Sequence, residues 1–324
     1  DINKILIAKI IESVPKNINV ADYLMDKLSL GKDSVYRRIR GEIAFTFSEI
    51  TKLTTLLNFS LDEVIGKSEE KFASFVIQPN SLLNPQQTFH LMLESYYDDL
   101  QKEYNSERVD VFVTCNCVLP TLVLYYDNLF KFLYFKWTYQ AYELDLDVKY
   151  SDVVVPNEII RLCNEIRKIP QCRNSNYTYI MDRNTFFNTA EQFKYYYKRK
   201  IITLDEQDLL KEDLLALIKS TEKFARKGSG TPGINYNYYL STLSIESNTV
   251  YILYNNTPKS YFWVYSVSPI GTNHEILCDT HKKWIDSIKK YSVLITQSND
   301  IVLADFFNVM YDYLKNEINF PINI

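Results

Sequence analysis

Between residues 19 and 66, apolar positions recur at helical spacing three times in close succession. Val20, Leu24 and Leu28 share one face of a first segment, and Val35 and Ile39 share one face of a second. Phe47, Ile50, Leu53 and Leu57 do the same in a third. Ser29-Leu30-Gly31 leaves room only for a corner between the first two, with Gly31 placed where a bend dispenses with a Cβ. Gly41 closes the second segment as a C-terminal cap. Thr46 with Glu49 forms a capping box that opens the third segment. Ser60 with Glu63 forms another, for one last turn ending at Gly66. An amphipathic stretch over residues 2–13, ended by Pro15, comes before all of these. With Val35 and Ile39 inward, the second segment turns Lys32, Asp33, Tyr36 and Arg37 outward.

Two short helices joined by a three-residue corner, the second one exposed and basic, make a helix-turn-helix arrangement. The segment resembles the lambda-repressor/Cro-like family of transcriptional regulators. Leu24, Leu28, Val35, Gly41, Leu53, Leu56 and the run Ser60-Leu61-Asp62-Glu63 fall where that family keeps its pattern, and the match covers residues 2–66. The resemblance implies an all-α domain over residues 1–67 that binds double-stranded DNA through the second helix. Its DNA-facing set would be Lys32, Asp33, Ser34, Tyr36, Arg37, Arg38 and Arg40. Three positions depart from the family pattern. Ser29 stands where the turn usually has Gly, and Met25 where a small residue lets the helices close. Arg38 occupies a site often apolar, with Ile39 expected to take over the core contact.

Periodicity is weaker over residues 68–84, read as a linker, until Asn84-Pro85 caps a helix over residues 85–104. Val109, Val111 and Val113 alternate as in a strand. A strongly aromatic helical stretch follows over residues 119–142, then a helix over 157–168 and a short strand over 177–181. Helices are expected over 185–200 and 205–227, the second opened by the capping box of Thr203 and Glu206. Residues 238–245, 249–254 and 260–267 read as a three-strand antiparallel meander, turning at Ser247-Asn248 and Asn256-Thr257-Pro258. Helices over 275–290 and 300–318 complete the pattern. The expected architecture is therefore multidomain: an all-α helix-turn-helix domain, then a larger mixed α+β domain over residues 85–324 with a small antiparallel sheet. A weaker similarity to the bodies of one-component regulators rests on residues 130–137 and 303–307.

Charge refines this reading. The chain carries a formal −4, so no global basic field advertises nucleic acid. Residues 1–67 hold ten Lys+Arg against nine Asp+Glu, and the positive charge concentrates at Lys32, Arg37, Arg38 and Arg40, with Asp33 the one acid among them. A local patch suits a groove-reading helix and predicts modest affinity for arbitrary sequence. The 26 Tyr and 18 Phe reflect AT-rich coding rather than an aromatic function. Five cysteines make no secreted disulfide framework. The longest apolar run, residues 118–137, is broken by Asp127, Lys131 and Lys136, so a cytoplasmic location off the membrane is expected. His274, Cys278 and His281 have the spacing of zinc ligands but lack a fourth. The glycines of residues 228–233 follow a helix instead of opening one, which is wrong for a phosphate loop. No catalytic constellation stands out, so neither an enzyme nor a cofactor is expected. The expected function is a DNA-binding regulator, acting as a homodimer and open to a small-molecule effector. The alternative is a protein-interaction adaptor.

Overall fold

The computed structural model describes every residue except 1, 16–17, 58, 60, 62–63, 65–74, 76–83, 142–147, 231, 266–267 and 318–324. The chain divides into two units, Asp1–Ser74 and Phe75–Ile324. The proposed linker lies almost wholly outside the described residues, as do Ser60, Glu63 and Gly66.

Among the described residues, the first unit holds four helices, two of which open on side-chain caps that the sequence specifies. The four are α1 (Ile2–Ser13), α2 (Val20–Leu28), α3 (Lys32–Ile39) and α4 (Phe47–Leu57). Asn19 caps α2, its side-chain oxygen accepting from the amides of Ala21 at 2.9 Å and Asp22 at 3.3 Å. At α4, Thr46 N donates to Glu49 Oε2 at 2.8 Å and Glu49 N to Thr46 Oγ1 at 3.3 Å. Helices this short are marginal alone, so a shared core has to hold them. Leu6, Ile7, Ile10, Leu24, Val35, Leu53 and Phe59 form it. Each such side chain contributes roughly 1.5–3 kcal/mol by leaving water.

The α2–α3 corner differs from the expectation. Ser29 takes the left-handed conformation at φ 55°, while Gly31 sits at φ −70° in ordinary extended backbone as the α3 N-cap, with open space where a Cβ would go. The bend therefore strains a serine and spends its glycine where none is needed.

The second unit is built on a seven-stranded sheet: β1 (Val109–Cys115), β2 (Ser175–Met181), β3 (Ile234–Ser241), β4 (Thr249–Tyr254), β5 (Thr257–Tyr265), β6 (Ser268–Thr272) and β7 (Ser292–Leu294). The strand order is β6-β5-β4-β1-β2-β3-β7. Strands β1, β2 and β3 run parallel, and the remaining pairings are antiparallel. Its helices are α5 (Pro85–Tyr104), α6 (Pro120–Val123), α7 (Asp127–Ala141), α8 (Asn157–Ile166), α9 (Thr185–Lys198), α10 (Leu204–Lys227), α11 (Glu275–Lys290) and α12 (Asp300–Asp312). Val111, Val113, Tyr177, Tyr236 and Ile252 pack on one face of the sheet into the main core with α5 to α10 and α12. On the other face Ile180 and Tyr251, with Phe112 and Leu253 beside them, close against Cys278 and Ile285 of α11.

This corrects the small antiparallel sheet expected from the sequence. Residues 238–245 were assigned to a meander with 249–254, but β3 pairs in parallel with β2 and never with β4. The antiparallel run is β4-β5-β6, and its first turn is Asn255-Asn256, with Asn255 at φ 54°. The helices between β1, β2 and β3 return each strand in the same direction, as parallel pairing requires. Parallel register also sets Tyr177 on Tyr236 (5.3 Å between ring centres) and Tyr179 on Tyr238 (4.9 Å). No helix among the described residues is long and apolar enough to cross a membrane.

Two buried titratable groups lie on opposite faces of this sheet. His281 of α11 is enclosed, its Nδ1 2.9 Å from Ser260 Oγ and its Nε2 2.9 Å from Thr249 Oγ1, and burial pushes its pKa down to about 4. Glu103 of α5 accepts from Tyr177 Oη at 3.1 Å, and burial pushes its pKa up to about 7. The two act on stability with opposite sign. Unfolding lets His281 take up a proton between about pH 4 and 6.5, so its contribution grows as pH rises through that window. Folded Glu103 keeps a proton that the unfolded chain loses between about pH 4.5 and 7, so its contribution fades as pH rises.

Tryptophan fluorescence in urea, which reports only this unit because Trp137, Trp263 and Trp284 all lie in it, should therefore give a nearly pH-independent midpoint from pH 4.5 to 6.5. Glu103→Gln should make stability rise with pH, and His281→Gln should make it fall, by about 3 kcal/mol in each case. In the first unit, Gly31→Ser should add a side-chain cap and stabilise by about 0.5–1 kcal/mol. Gly41→Ala, at φ 75°, should cost about 1 kcal/mol or more, both read by hydrogen exchange of α3 amides.

Candidate nucleic-acid interface

Helix α3 is eight residues long, KDSVYRRI, and its orientation follows from what it buries. Val35 is wholly enclosed in the core of the first unit and Ile39 is half-buried against it. Lys32, Asp33, Tyr36 and Arg37 are exposed, and Arg40, just past the helix, joins them. Lys32 sits at the positive end of the helix dipole, where a cation gains nothing for helix stability.

Arg38 has to be removed from the DNA-facing set. It is 8% exposed and turns inward, against the expectation that Ile39 alone would serve the core. Its Nε donates to Glu49 Oε2 and its Nη2 to Glu49 Oε1, each at 3.0 Å, the two-pronged geometry of a strong guanidinium–carboxylate contact. A third donor, Nη1, reaches Ser34 Oγ at 2.6 Å and Ser34 O at 3.3 Å. Ser34 is half-buried, its hydroxyl accepting from Arg38. Glu49 is the same carboxylate that caps Thr46. Burial pushes its pKa up, but the Thr46 amide and the Arg38 guanidinium outweigh that and hold it below the usual range. One side chain thus opens α4 and fixes the rotation of α3.

Glu42 was not singled out in the sequence, and it lies within this surface. Its carboxylate meets Arg40 Nε at 2.6 Å and Arg37 Nε at 3.4 Å. Exposed pairs of this kind contribute little to stability, about 0–1 kcal/mol. On α4, a shallow hollow of about 480 Å³ is lined by Ser48, Thr51, Lys52, Thr55 and Leu56. Phe47 is also exposed, at 77%.

In the second unit, the residues with zinc-ligand spacing and the glycine run do not form a site. His281 and Cys278 are buried and hydrogen-bonded, Cys278 Sγ to Thr272 O at 3.5 Å, and no group of three His, Cys, Asp or Glu among the described residues could hold a metal ion. Open α/β sheets hold ligands at the carboxyl end of the strand where chain order reverses, here β1. That end is tied down by the connection from β3 to β4. Ile245 N donates to Asp182 Oδ2 at 3.0 Å, Asn116 Nδ2 to Glu246 O at 2.9 Å, and Asn116 N to Asn248 Oδ1 at 3.0 Å. At residues 228–233, Gly228 caps α10 at φ 66°, and Gly233 passes so close to Arg173 O that any Cβ would collide with it.

Comparison of the chain with family models, with curated proteins and with solved structures gives no match.

Breaking the clamp from one side leaves an uncompensated, mostly buried charge, so Glu49→Gln should destabilise the first unit by about 2–3 kcal/mol, read by hydrogen exchange of α3 amides. Replacing both partners, Arg38→Met with Glu49→Leu, should recover part of that loss. Because folding holds Glu49 below its ordinary pKa, the clamp's contribution is present above about pH 4.5 and is lost as pH falls through the folded value.

Proposed function

We propose that the first unit binds double-stranded DNA in a sequence-dependent manner, with the outer face of α3 as the reading element. The observation that carries this reading is the partition of α3. Val35, Arg38 and Ile39 face the domain, while Lys32, Tyr36, Arg37 and Arg40 stand in solvent on one side of a short helix preceded by another across a tight corner. A major groove admits such a helix, and arginine is the residue best suited to the O6 and N7 acceptors of guanine. Asp33 belongs to the same face, suited to accept from a cytosine amino group.

Competing with it is a docking module that never meets DNA. The hollow on α4 beside exposed Phe47 is what favours that alternative. A single head carrying a net charge of +1 would struggle to reach the 10⁻⁸–10⁻¹¹ M range typical of specific sites. Two copies on a two-fold operator supply the missing contacts, and we assign the larger unit to holding them. An effector would then act through its difference in affinity for two spacings of the heads.

Selection from a random duplex library with the full chain should enrich one sequence; recovery of none would sink the proposal and favour the docking module. Arg37→Ala should cost about 1–3 kcal/mol and relax preference at one base pair. Arg40→Ala should weaken all sequences alike and lower the salt slope by about one. Light scattering on the enriched duplex should show two chains per site.

A further inference from the structure

Tyr179 stands on β2, an interior strand of the sheet, on the face that α5 to α10 and α12 cover, yet it is only half-buried. The helices therefore leave a recess above it. Its floor is a two-by-two array set by parallel register, Tyr177 beside Tyr236 and Tyr179 beside Tyr238, with the rings of Tyr236 and Tyr238 6.4 Å apart. Glu103 of α5, 6% exposed, borders the array. Its Oε2 accepts from Tyr177, and among the described residues its Oε1 has no partner. The same holds for the hydroxyls of Tyr179 and Tyr238, although Tyr238 is only 5% exposed. Buried polar atoms without a partner are rare, and several of them facing one space call for a bound molecule or water. Burial first, then Tyr125, Glu103 and Tyr179, push the phenol of Tyr96 up, and burial with Glu103 does the same to Tyr125, so both face this carboxyl. Tyr125, 48% exposed, stands at the mouth.

Charge decides what fits. Nothing positive reaches Glu103: burial raises its pKa, Asp99 raises it further, and only the hydrogen bond from Tyr177 opposes them. Asp99 is already matched by Lys259, whose Nζ lies 2.8 Å from its Oδ1. Arg167, near the mouth, is likewise held by Asp127 at 2.7 Å. What remains is one carboxyl with a free oxygen, two free phenol oxygens and electron-rich rings. An anion would be repelled by that carboxyl. An ammonium group has three donors to match the three oxygens, and aromatic rings attract it as well. We propose that this recess binds a small organic ammonium ion, an amine on an apolar body, with its charge on Glu103 and its other donors on Tyr179 and Tyr238. The tyrosine walls suit the apolar body. This site stands on the larger unit alone and does not require α3 to read DNA; it gives a chemical class to the effector that the proposed regulator leaves open.

Isothermal titration of the full chain, without DNA, tests this with three probes of one shape: 2-phenylethylammonium, 2-phenylethanol and phenylacetate. The ammonium ion should bind, the alcohol should bind about tenfold more weakly, and phenylacetate should not bind measurably. Glu103→Gln keeps the shape and removes the charge, so it should lower the affinity for the ammonium ion about tenfold, to the level of the alcohol, and leave the alcohol unaffected. Tyr238→Phe, which removes one acceptor and keeps the ring, should weaken the ammonium ion about 3–10-fold. Glu107→Gln, the same change in net charge at an exposed site beyond α5, should alter nothing. Tryptophan fluorescence in urea shows that each variant is folded. A wild-type chain that does not bind the ammonium ion, that binds all three probes alike or that prefers phenylacetate would overturn the inference. So would ammonium binding that Glu103→Gln leaves intact. Failure of the duplex selection, by contrast, would remove DNA reading and leave this binding untouched.

Discussion

The contact between Arg38 and Glu49 decides which side chains of α3 can face outward. An eight-residue helix with one fully enclosed apolar side chain, Val35, has little else to set its rotation, since Ile39 is only half-buried. Three donors of Arg38 provide it, two on Glu49 and one on Ser34. Because Glu49 also closes the N-terminus of α4, the rotation of α3 and the start of the next helix are one arrangement. An aliphatic side chain at position 38 could fill the space, but it would not tie α3 to the cap of α4. With Arg38 inward, the outward set reduces to Lys32, Asp33, Tyr36, Arg37 and Arg40, and Glu42 joins it from the following turn.

The larger unit obeys a different constraint. Its parallel strands must be covered on both faces, and the division is unequal: most helices lie on one side and α11 closes the other. His281 and Glu103 show how polar groups are admitted to such a core, each hydrogen-bonded and each shifted toward its neutral form by burial. The crossing from β3 to β4 covers the carboxyl end of β1 through hydrogen bonds to Asn116 and Asp182.

How much of this was legible in the sequence depended on how local its cause was. Spacing four apart placed Val35 inside and Lys32 and Tyr36 outside, and the caps at Thr46, Asn84 and Thr203 were visible as residue patterns. Arg38 was misplaced because its partner lies eleven residues away and had already been given a role as a cap. Glu42 was passed over because its meaning depends on the left-handed turn at Gly41, which brings it back against residues that precede it. At the other corner, Gly31 drew attention while Ser29 carried the unusual backbone. The sheet was the largest miss. Alternation shows that a segment is a strand but not which strand it joins, and β3 was paired by nearness in sequence with β4 when its neighbour, β2, lies beyond two helices. β6 and β7, five and three residues long, are too short for a period to register.

The most direct test of the central claim is photo-crosslinking from α3 itself. A benzophenone side chain in place of Tyr36, 39% exposed in the centre of the outer face, should crosslink the full chain to duplex DNA, with unlabelled duplex of the same sequence competing it away. The same group in place of Tyr195, exposed on α9 of the larger unit, should not. If Tyr36 gives no crosslink to any duplex while the protein remains folded, or crosslinks only to protein, then α3 does not read DNA.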